Sequence, residues 1–380
     1  MSAVRFNEET QRKARDYLYN GLAISLLKGV TILFLALVVL SLRLSIGLEK
    51  TMIAYVTEPS LVVFLYALVG YAIFWLVSFP FDYYKDFVLE HKFELSNETL
   101  VKWLWDRTKM SILSLLVILA FAEGMYNFMW LNPTYWWFFQ WIVTALVVAL
   151  FMYVSPVLIM PLFYKFPKLE NEKLLNRLMK LANKAGIKII GVFEMKAGEK
   201  TKKATAALTG IGKTRRMLLS DTFLSNYSND EIESVMGHEI GHHVYGHIWK
   251  LDLMLTIILF IALFVINQVL QATARGGFFG LERVDSVASF PLFALTFGLL
   301  YVGFIPLANT LSRRAEGQCD QYELELAERP DAYISLMVKL CDQNLRYANP
   351  PAPIEFLFYD HPSGKKRIER AVAYKRLKGL

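Results

Sequence analysis

Six long apolar segments constrain the fold of this chain more than any other feature. A membrane-spanning helix needs about 20 consecutive, mostly apolar residues, whereas shorter runs are typical of buried core helices. The 380-residue sequence contains six runs of sufficient length, and 55% of all its residues are hydrophobic. They lie near Gly21–Leu42, Leu61–Phe81, Met110–Leu131, Trp136–Met160, Leu251–Leu270 and Val287–Ala308. The sequence therefore predicts a predominantly α-helical polytopic membrane protein.

The basic residues of the loops predict how these segments are oriented. Lys and Arg are enriched in cytoplasmic loops. The loop after the second segment carries five of them and the loop after the third carries none. The stretch 164–250 and the tail 309–380 are also basic. We therefore expect both termini and these two soluble pieces to be cytoplasmic, in a prokaryotic cytoplasmic membrane or an endoplasmic reticulum membrane.

The net charge of +7 is explained by these loops. Basic residues that flank membrane spans face anionic lipid, so the charge does not require a nucleic-acid partner. We expect the lipid bilayer, peptide substrates and no nucleic acid as partners, and we expect a monomer. The predicted domains are an N-terminal membrane bundle at 1–165, a catalytic segment at 166–250, two further spans at 251–308 and a C-terminal catalytic segment at 309–380.

The first soluble piece shows patterns of both helix and strand. Glu170–Ala185 is amphipathic, and the β-branched stretch Ile187–Met195 predicts a strand. Ala204–Thr209 and Arg216–Leu219 flank a glycine-rich turn, which predicts a hairpin. Ser228, followed three residues later by a glutamate, has the form of a capping box and predicts the start of a helix. A small α+β unit is therefore expected beside the membrane bundle.

The predicted helix after Ser228 carries two histidines, His238 and His242, on one face. Residues four apart on a helix share a face, so both imidazoles can bind a single Zn²⁺. Glu239 lies one residue from that face, where it can act as general base toward a water that attacks a peptide carbonyl. A surface helix with two stray histidines is the alternative, but four of the six histidines of the chain fall within ten residues here. Gly241, a poor helix former, permits close packing beside the metal.

A third protein ligand is needed because zinc takes about four ligands and one position belongs to water. His243 and His247 would lie far round the same helix from His238, so we do not expect them to share its metal. Glu316 and Asp320, again four apart after the last apolar segment, are better candidates. One of them can bind the metal while the other orients a ligand histidine. A solvated charged helix is the competing interpretation, and spacing alone leaves it open.

The sequence resembles the type I CAAX prenyl proteases, membrane zinc peptidases similar to the yeast a-factor-converting enzyme. The similarity extends from about Phe79 to Arg370, through HEIGHHVYGH and NTLSRRAEGQCD. It implies that Glu316 is the third ligand of one zinc ion per chain. It also implies that Asp320 orients a ligand histidine, and that His361 and Arg367 stabilise the oxyanion or hold a substrate group.

The resemblance also implies a gluzincin-like peptidase domain on the cytoplasmic side of a hollow membrane bundle. Thr205 and Ala206 align with the family's substrate-binding strand, to which an extended peptide would add as a further strand. The chain departs from the family pattern at Thr205, His243 and Cys319, and it has six predicted spans where eukaryotic members have seven. From the resemblance as a whole we expect cleavage near the C-terminus of prenylated or membrane-associated chains. An HtpX-like quality-control protease for membrane proteins is the alternative.

Overall fold

The computed structural model describes residues 6–380 as a mainly helical protein. The first seven helices are α1 (Glu8–Ser41), α2 (Leu44–Tyr55), α3 (Pro59–Tyr83), α4 (Glu90–Lys92), α5 (Leu100–Leu131), α6 (Trp136–Val154) and α7 (Glu172–Lys184). The others are α8 (Asp221–Asn226), α9 (Asn229–Val244), α10 (His247–Gly276), α11 (Phe290–Ala327), α12 (Pro330–Gln343), α13 (Ala352–Phe358) and α14 (Gly364–Lys378). Three short strands, β1 (Val192–Met195), β2 (Ala206–Thr209) and β3 (Arg216–Ser220), complete the fold.

Among residues 6–380, six helices are long and apolar enough to cross a membrane, which confirms the predicted number. They are built on α1, α3, α5, α6, α10 and α11. Most extend beyond the apolar runs. For example, α1 begins at Glu8, where Asn7 accepts a hydrogen bond from the Thr10 amide as N-cap. Helix α2 has only 12 residues, so at 1.5 Å per residue it is too short to span a bilayer core of about 30 Å.

A partly buried cluster of three charged side chains connects three of the membrane helices. Lys28, in the middle of α1, lies 2.7 Å from Asp82 of α3, and Arg107 of α5 contacts the same carboxylate. Lys28 therefore faces the interior of the bundle rather than lipid. This is the expected arrangement for a charged side chain at membrane depth, because an unpaired charge facing lipid is costly.

The loops separate into two groups at opposite ends of the bundle. At one end, Glu49 of α2 bonds to Ser286 and to the Val287 amide, which precede α11. At the other end, Gln11 of α1 bonds to Asp342 of α12. The stretch that follows α4 also lies at this second end, where it contacts the soluble piece through a Ser96–Thr201 bridge. The soluble pieces thus collect at one end, as the alternation of loop charges requires.

The soluble part packs around a three-stranded sheet with the order β1-β3-β2. Strand β1 pairs with β3 in parallel and β2 pairs with β3 in antiparallel, so the predicted hairpin is confirmed and β2 is an edge strand. Gly210 begins the turn at φ 84°, and an added Cβ would lie 2.4 Å from the Thr214 carbonyl oxygen. One apolar core joins the sheet to α7, α9, α12 and α14, so segments distant in sequence form one folded unit.

Candidate metal centre

Helix α9 carries the histidine motif. A capping box fixes where this helix starts, and a close contact with α11 fixes which face of it is buried. The Ser228 hydroxyl accepts from the Glu231 amide, and the Glu231 carboxylate accepts from the Ser228 amide, which confirms the predicted capping box. The helix then packs along α11. Gly241 has the Cys319 backbone so close that an added Cβ would lie 3.3 Å from its Cα atom. This close approach brings the motif of α9 against the acidic side chains of α11.

The structure brings His238, His242 and Glu316 together. Their ligand atoms lie within 4.8 Å of one another. The Nε2 atoms of His238 and His242 are 3.3 Å apart. Each lies close to a different carboxylate oxygen of Glu316, at 3.1 Å for His238 and 3.2 Å for His242. The two histidines come from α9 and the glutamate from α11, so the cluster exists only in the folded chain.

This donor set fits a divalent metal. Oε2 of Glu316 is buried and lacks a hydrogen-bond partner among residues 6–380, although two imidazole nitrogens lie 3.1 and 3.3 Å away. Two imidazole nitrogens and one carboxylate oxygen are a common ligand set of catalytic zinc, which keeps a further position open. Burial lowers the pKa of His238, but the neighbouring carboxylates of Asp320 and Glu316 raise it to about 9. The pocket therefore stabilises a cation at the position where the metal would bind.

Asp320 and Arg367 lie behind His238, on the side opposite Glu316. Oδ1 of Asp320 is 3.1 Å from Nδ1 of His238. The same oxygen is 2.5 Å from Nη2 of Arg367, and Arg370 binds the other oxygen at 2.7 Å. Because the carboxylate accepts the Nδ1–H of His238, the Nε2 atom keeps its lone pair for a metal. Arg367 is itself 8% exposed, so its geometry favours a positioning role over contact with substrate.

His361 lies on the open side of the cluster. Its Nε2 atom is 3.3 Å from Oε2 of Glu316, and its side chain is 31% exposed. The Asp360 carboxylate lies 2.7 Å from its Nδ1 atom and orients the ring. Glu239 is also partly exposed. The two residues expected to face the reacting groups are thus more accessible than Asp320 and Arg367.

His247 lies nearer the cluster than its predicted position. The expectation that it continues the face pattern of α9 was wrong, because α9 ends at Val244 and Gly246 has φ 64°. His247 begins α10 instead, and its Nδ1 atom lies 3.2 Å from Nδ1 of His242 while its Nε2 atom lies 3.0 Å from Oε1 of Gln318. A glycine four residues after His242 was the sequence signal for this helix end.

His242, His247 and Cys319 form a second group of ligand-type atoms within 4.8 Å. The group shares His242 with the first cluster through its other ring nitrogen. A hydrogen bond from Nδ1–H of His242 to Nδ1 of His247 accounts for the contact, with Nε2–H of His247 donating to Gln318. This arrangement orients His242 as Asp320 orients His238, and the sequence analysis did not predict it.

Thr205 immediately precedes β2 and Ala206 begins it, next to α9. Thr205 is exposed and Ala206 partly exposed. His243 of α9 contacts the same strand, because its Nε2 atom lies 2.8 Å from the Leu208 carbonyl oxygen. Burial lowers the pKa of His243, so its ring is neutral near pH 7. The structure thus brings an edge strand and the metal cluster together through one helix.

Known protein families match most of this chain. Residues 168–375 match the profile of peptidase family M48. The chain belongs to this family. Residues 2–165 match the profile described as the CAAX prenyl protease N-terminal region with five membrane helices. In the part of this region that the structure describes, residues 6–165, there are four membrane-length helices and the shorter α2.

Individual relatives agree with the family assignment. The chain is 29% identical to the uncharacterized metalloprotease YhfN of Bacillus subtilis over 301 residues, which is 78% of this chain and 70% of the relative. It is also 29% identical to CAAX prenyl protease 1 of Saccharomyces cerevisiae over 319 residues, which is 77% of this chain and 68% of the relative. The crystal structure of Ste24p from S. mikatae matches with a TM-score of 0.84 at 23% identity, covering 97% of this chain and 90% of that one.

These matches identify the chain as a multi-pass membrane metalloendopeptidase of the CAAX protease type. The N-terminal match favours this architecture over the HtpX-like alternative, and membership of the M48 family implies a metal cofactor. The predicted fold class is confirmed in its helical membrane bundle and its small sheet.

Proposed function

We propose that this chain is a zinc-dependent endopeptidase that cleaves peptide bonds near the C-terminus of prenylated or membrane-associated chains. One observation carries the proposal. Two histidines of α9 and one glutamate of α11 form a largely buried group of ligand-type side chains, and α9 packs against the partly exposed edge strand β2. The cluster supplies the metal site and the strand supplies a surface that can align an extended peptide.

In this proposal His238, His242 and Glu316 hold one Zn²⁺ per chain. Bound zinc polarises the scissile carbonyl and makes water acidic enough to lose a proton near neutral pH. Asp320 holds the Nδ1–H of His238, and His247 accepts the Nδ1–H of His242, so that both Nε2 atoms face the metal position. The buried guanidinium of Arg367 keeps the Asp320 carboxylate in place.

The chain's own residues then move the proton and hold the substrate. Glu239 takes a proton from the attacking water and returns it to the leaving amine. His361, oriented by Asp360, stabilises the negative charge that develops on the carbonyl oxygen. Thr205 and Ala206 align the substrate backbone along β2. The enzyme works as a monomer with both termini and this site in the cytoplasm, in a prokaryotic cytoplasmic membrane or an endoplasmic reticulum membrane.

The unit that performs this chemistry combines segments 166–250 and 309–380, while 1–165 and 251–308 form the membrane bundle. The division follows the contacts, because the apolar core of the soluble part draws on both catalytic segments. The core of the membrane bundle draws on the other two segments. Neither catalytic segment holds the three proposed ligands by itself.

The test is cleavage of a farnesylated CAAX peptide by the purified protein in nanodiscs. The peptide is compared with its unprenylated counterpart, with and without a zinc chelator, and chelated enzyme is reloaded with Zn²⁺. Cleavage of the farnesylated peptide that the chelator abolishes and zinc restores is the expected result. If neither peptide is cleaved although bound zinc stays at one ion per chain, the substrate assignment is wrong and the HtpX-like activity takes its place.

A further inference from the structure

His243 makes a hydrogen bond to a backbone carbonyl group on the outer edge of β2. Its Nε2 atom lies 2.8 Å from the carbonyl oxygen of Leu208. A carbonyl oxygen can only accept, so Nε2 carries the proton and donates it. His243 thus joins the motif helix α9 directly to the strand along which a peptide would pair.

The pairing of β2 with β3 decides which of its backbone groups face outward. The Ser220 amide donates to the carbonyl oxygen of Thr205 at 2.9 Å, so Thr205 points toward β3. In an antiparallel pair this direction alternates from residue to residue. The N–H and C=O groups of Ala206 and Leu208 therefore point away from the sheet. These two residues are the positions that an added strand would use, and His243 contacts one of them.

From this geometry we infer that His243 restricts the pairing of a substrate peptide with β2. Ala206 remains available for backbone hydrogen bonds to the peptide, and Leu208 does not. This inference rests on the proposed peptidase function and adds a determinant of its specificity. A peptide residue opposite Ala206 can exchange two hydrogen bonds with it. A residue two positions along the peptide would have to donate its N–H to Leu208. With the ring nitrogen 2.8 Å from that oxygen, the peptide amide cannot reach the same outward side without displacing the imidazole.

The consequence is a short paired segment of substrate. A peptide amide that is held against the strand without a partner loses a hydrogen bond to water without replacement, which is unfavourable. Extended chains that continue along β2 past Ala206 are therefore disfavoured, and chains that leave the edge after one paired residue are favoured. His243 acts through the backbone of the substrate, so this selection applies to any side-chain sequence.

An ester scan of a peptide tests the inference. Each backbone N–H of a farnesylated CAAX peptide is replaced in turn by an ester oxygen, which removes one donor. Dissociation constants are measured by fluorescence anisotropy in nanodiscs for Glu239→Gln, which holds peptide without turnover, and for Glu239→Gln combined with His243→Ala. A third protein carries His243→Gln in the same background, because its side-chain amide can still donate to Leu208. Zinc content is measured for each protein.

His243→Ala is expected to reveal one additional sensitive amide, two residues from an amide that is sensitive in both proteins. Removal of that N–H should weaken binding about fivefold in the alanine variant, the effect of one net hydrogen bond, and not in the protein that has His243. The glutamine variant should behave like the protein with His243. A merely structural effect of the substitution would change the binding of all peptides alike.

The outcomes separate the inference from the function on which it rests. Identical ester profiles with and without His243 would overturn the inference and leave the peptidase assignment in place. If no peptide of the set binds to any of the proteins, the pairing of substrate with β2 is overturned, and the inference with it. Cleavage of the amide peptide by the unmutated enzyme is then the independent measure of whether the proposed function survives.

Discussion

Each proposed zinc-binding histidine is oriented by the group at its other ring nitrogen. His238 donates its Nδ1–H to a carboxylate that two arginines hold, and His242 donates to His247. The two arrangements differ in charge. Asp320 is an anion and raises the basicity of its imidazole, whereas His247 is neutral and fixes only its orientation. We therefore expect His238 to depend more strongly on its partner than His242 does.

Asp320→Asn is the substitution that tests this dependence. It removes the charge between His238 and Arg367, so zinc affinity should fall about 10- to 100-fold. Because Arg367 would be left buried without its counter-ion, unfolding should become easier by about 3–5 kcal/mol. Chelator competition and denaturant titration measure the two effects.

The matched control is Asp331→Asn, which removes the partner of Lys375 at a carboxylate that is 77% exposed. It should change stability by less than about 0.5 kcal/mol. Equal zinc affinities in the two variants would contradict the role assigned to Asp320.

Glu239→Gln separates metal binding from catalysis. The amide cannot accept a proton at pH 7, so cleavage should fall at least about 100-fold. Zinc content should stay at one ion per chain, because Glu239 is not a proposed ligand. Steady-state rates and metal analysis of the same preparation provide both numbers. Glu369→Gln, at an exposed position of α14, is the control and should cleave at the unmutated rate. Cleavage by Glu239→Gln at that rate would refute the assignment of the base.

The residues of the site differ in how well the sequence predicts them. His238, His242 and Glu316 follow from helical spacing together with the family resemblance, because both the motif and its third ligand lie on continuous helices. His247 was misplaced because the periodicity argument extends α9 past its real end. Tyr333 and Arg370, which contact Arg367 and Asp320, lie far from the motif in sequence. Tertiary packing alone places them, and no local pattern indicates it.

At the scale of elements, the contact between α9 and α11 determines the metal cluster. Glycines face α11 at two successive turns of α9. An added Cβ would lie 3.3 Å from Cγ of Glu323 at Gly237, and 3.3 Å from Cα of Cys319 at Gly241. The second contact is with backbone, which cannot rotate away. The helices therefore approach closely enough for Glu316 to lie between the two imidazoles.

Gly241→Ala should widen this contact by a few tenths of an ångström. Alanine alone favours a helix by about 1 kcal/mol over glycine, so a loss of zinc affinity would come from displacement and not from helix propensity. We expect zinc affinity to fall several-fold in chelator competition. Gly298→Ala, at a helical glycine with open space around its Cβ position, should leave affinity unchanged. If both variants bind zinc like the unmutated protein, the helix contact does not determine the metal site.

Other elements show where sequence patterns are sufficient. Periodicity predicts α7, the capping box predicts the start of α9, and the glycine-rich turn predicts the β2–β3 hairpin, because each depends on local chemistry. The boundaries of the membrane helices were less accurate. Charged residues continue the helix beyond the apolar run, so that α11 continues past the predicted span and carries Glu316 in the same helix. The hydrophobic composition of a segment indicates where the chain crosses the bilayer, but it does not indicate where the helix ends.

At the scale of the whole molecule, the site depends on the order of spans between its two halves. The motif on α9 and the ligand on α11 are separated by α10 and by the loop before α11. An even number of crossings returns the chain to the side it left, so α10 and α11 must cross the membrane as a pair for Glu316 to meet His238. The pairing of these two spans is thus a requirement of the site as well as a feature of composition.

This arrangement predicts which parts of the chain face the cytoplasm. Single cysteines at two exposed positions, Glu282→Cys in the loop after α10 and Glu369→Cys in α14, report the two ends of the bundle. The native Cys319 and Cys341 are buried, so they give little background labelling. The predicted orientation follows from the basic loops, which remain on the cytoplasmic side.

When the protein is expressed in the cytoplasmic membrane of intact bacterial cells, a membrane-impermeant maleimide should label the cysteine at position 282 and not the one at 369. Permeabilised cells should label both, which controls for accessibility of each thiol. Labelling at 369 alone in intact cells would mean that the proposed metal-binding residues face outward. The chain would then act on substrates outside the cytoplasm, and cytoplasmic prenylated proteins would be removed from the candidate substrates. The family fold and the ligand geometry would be unaffected, because neither depends on which side of the membrane holds the cluster.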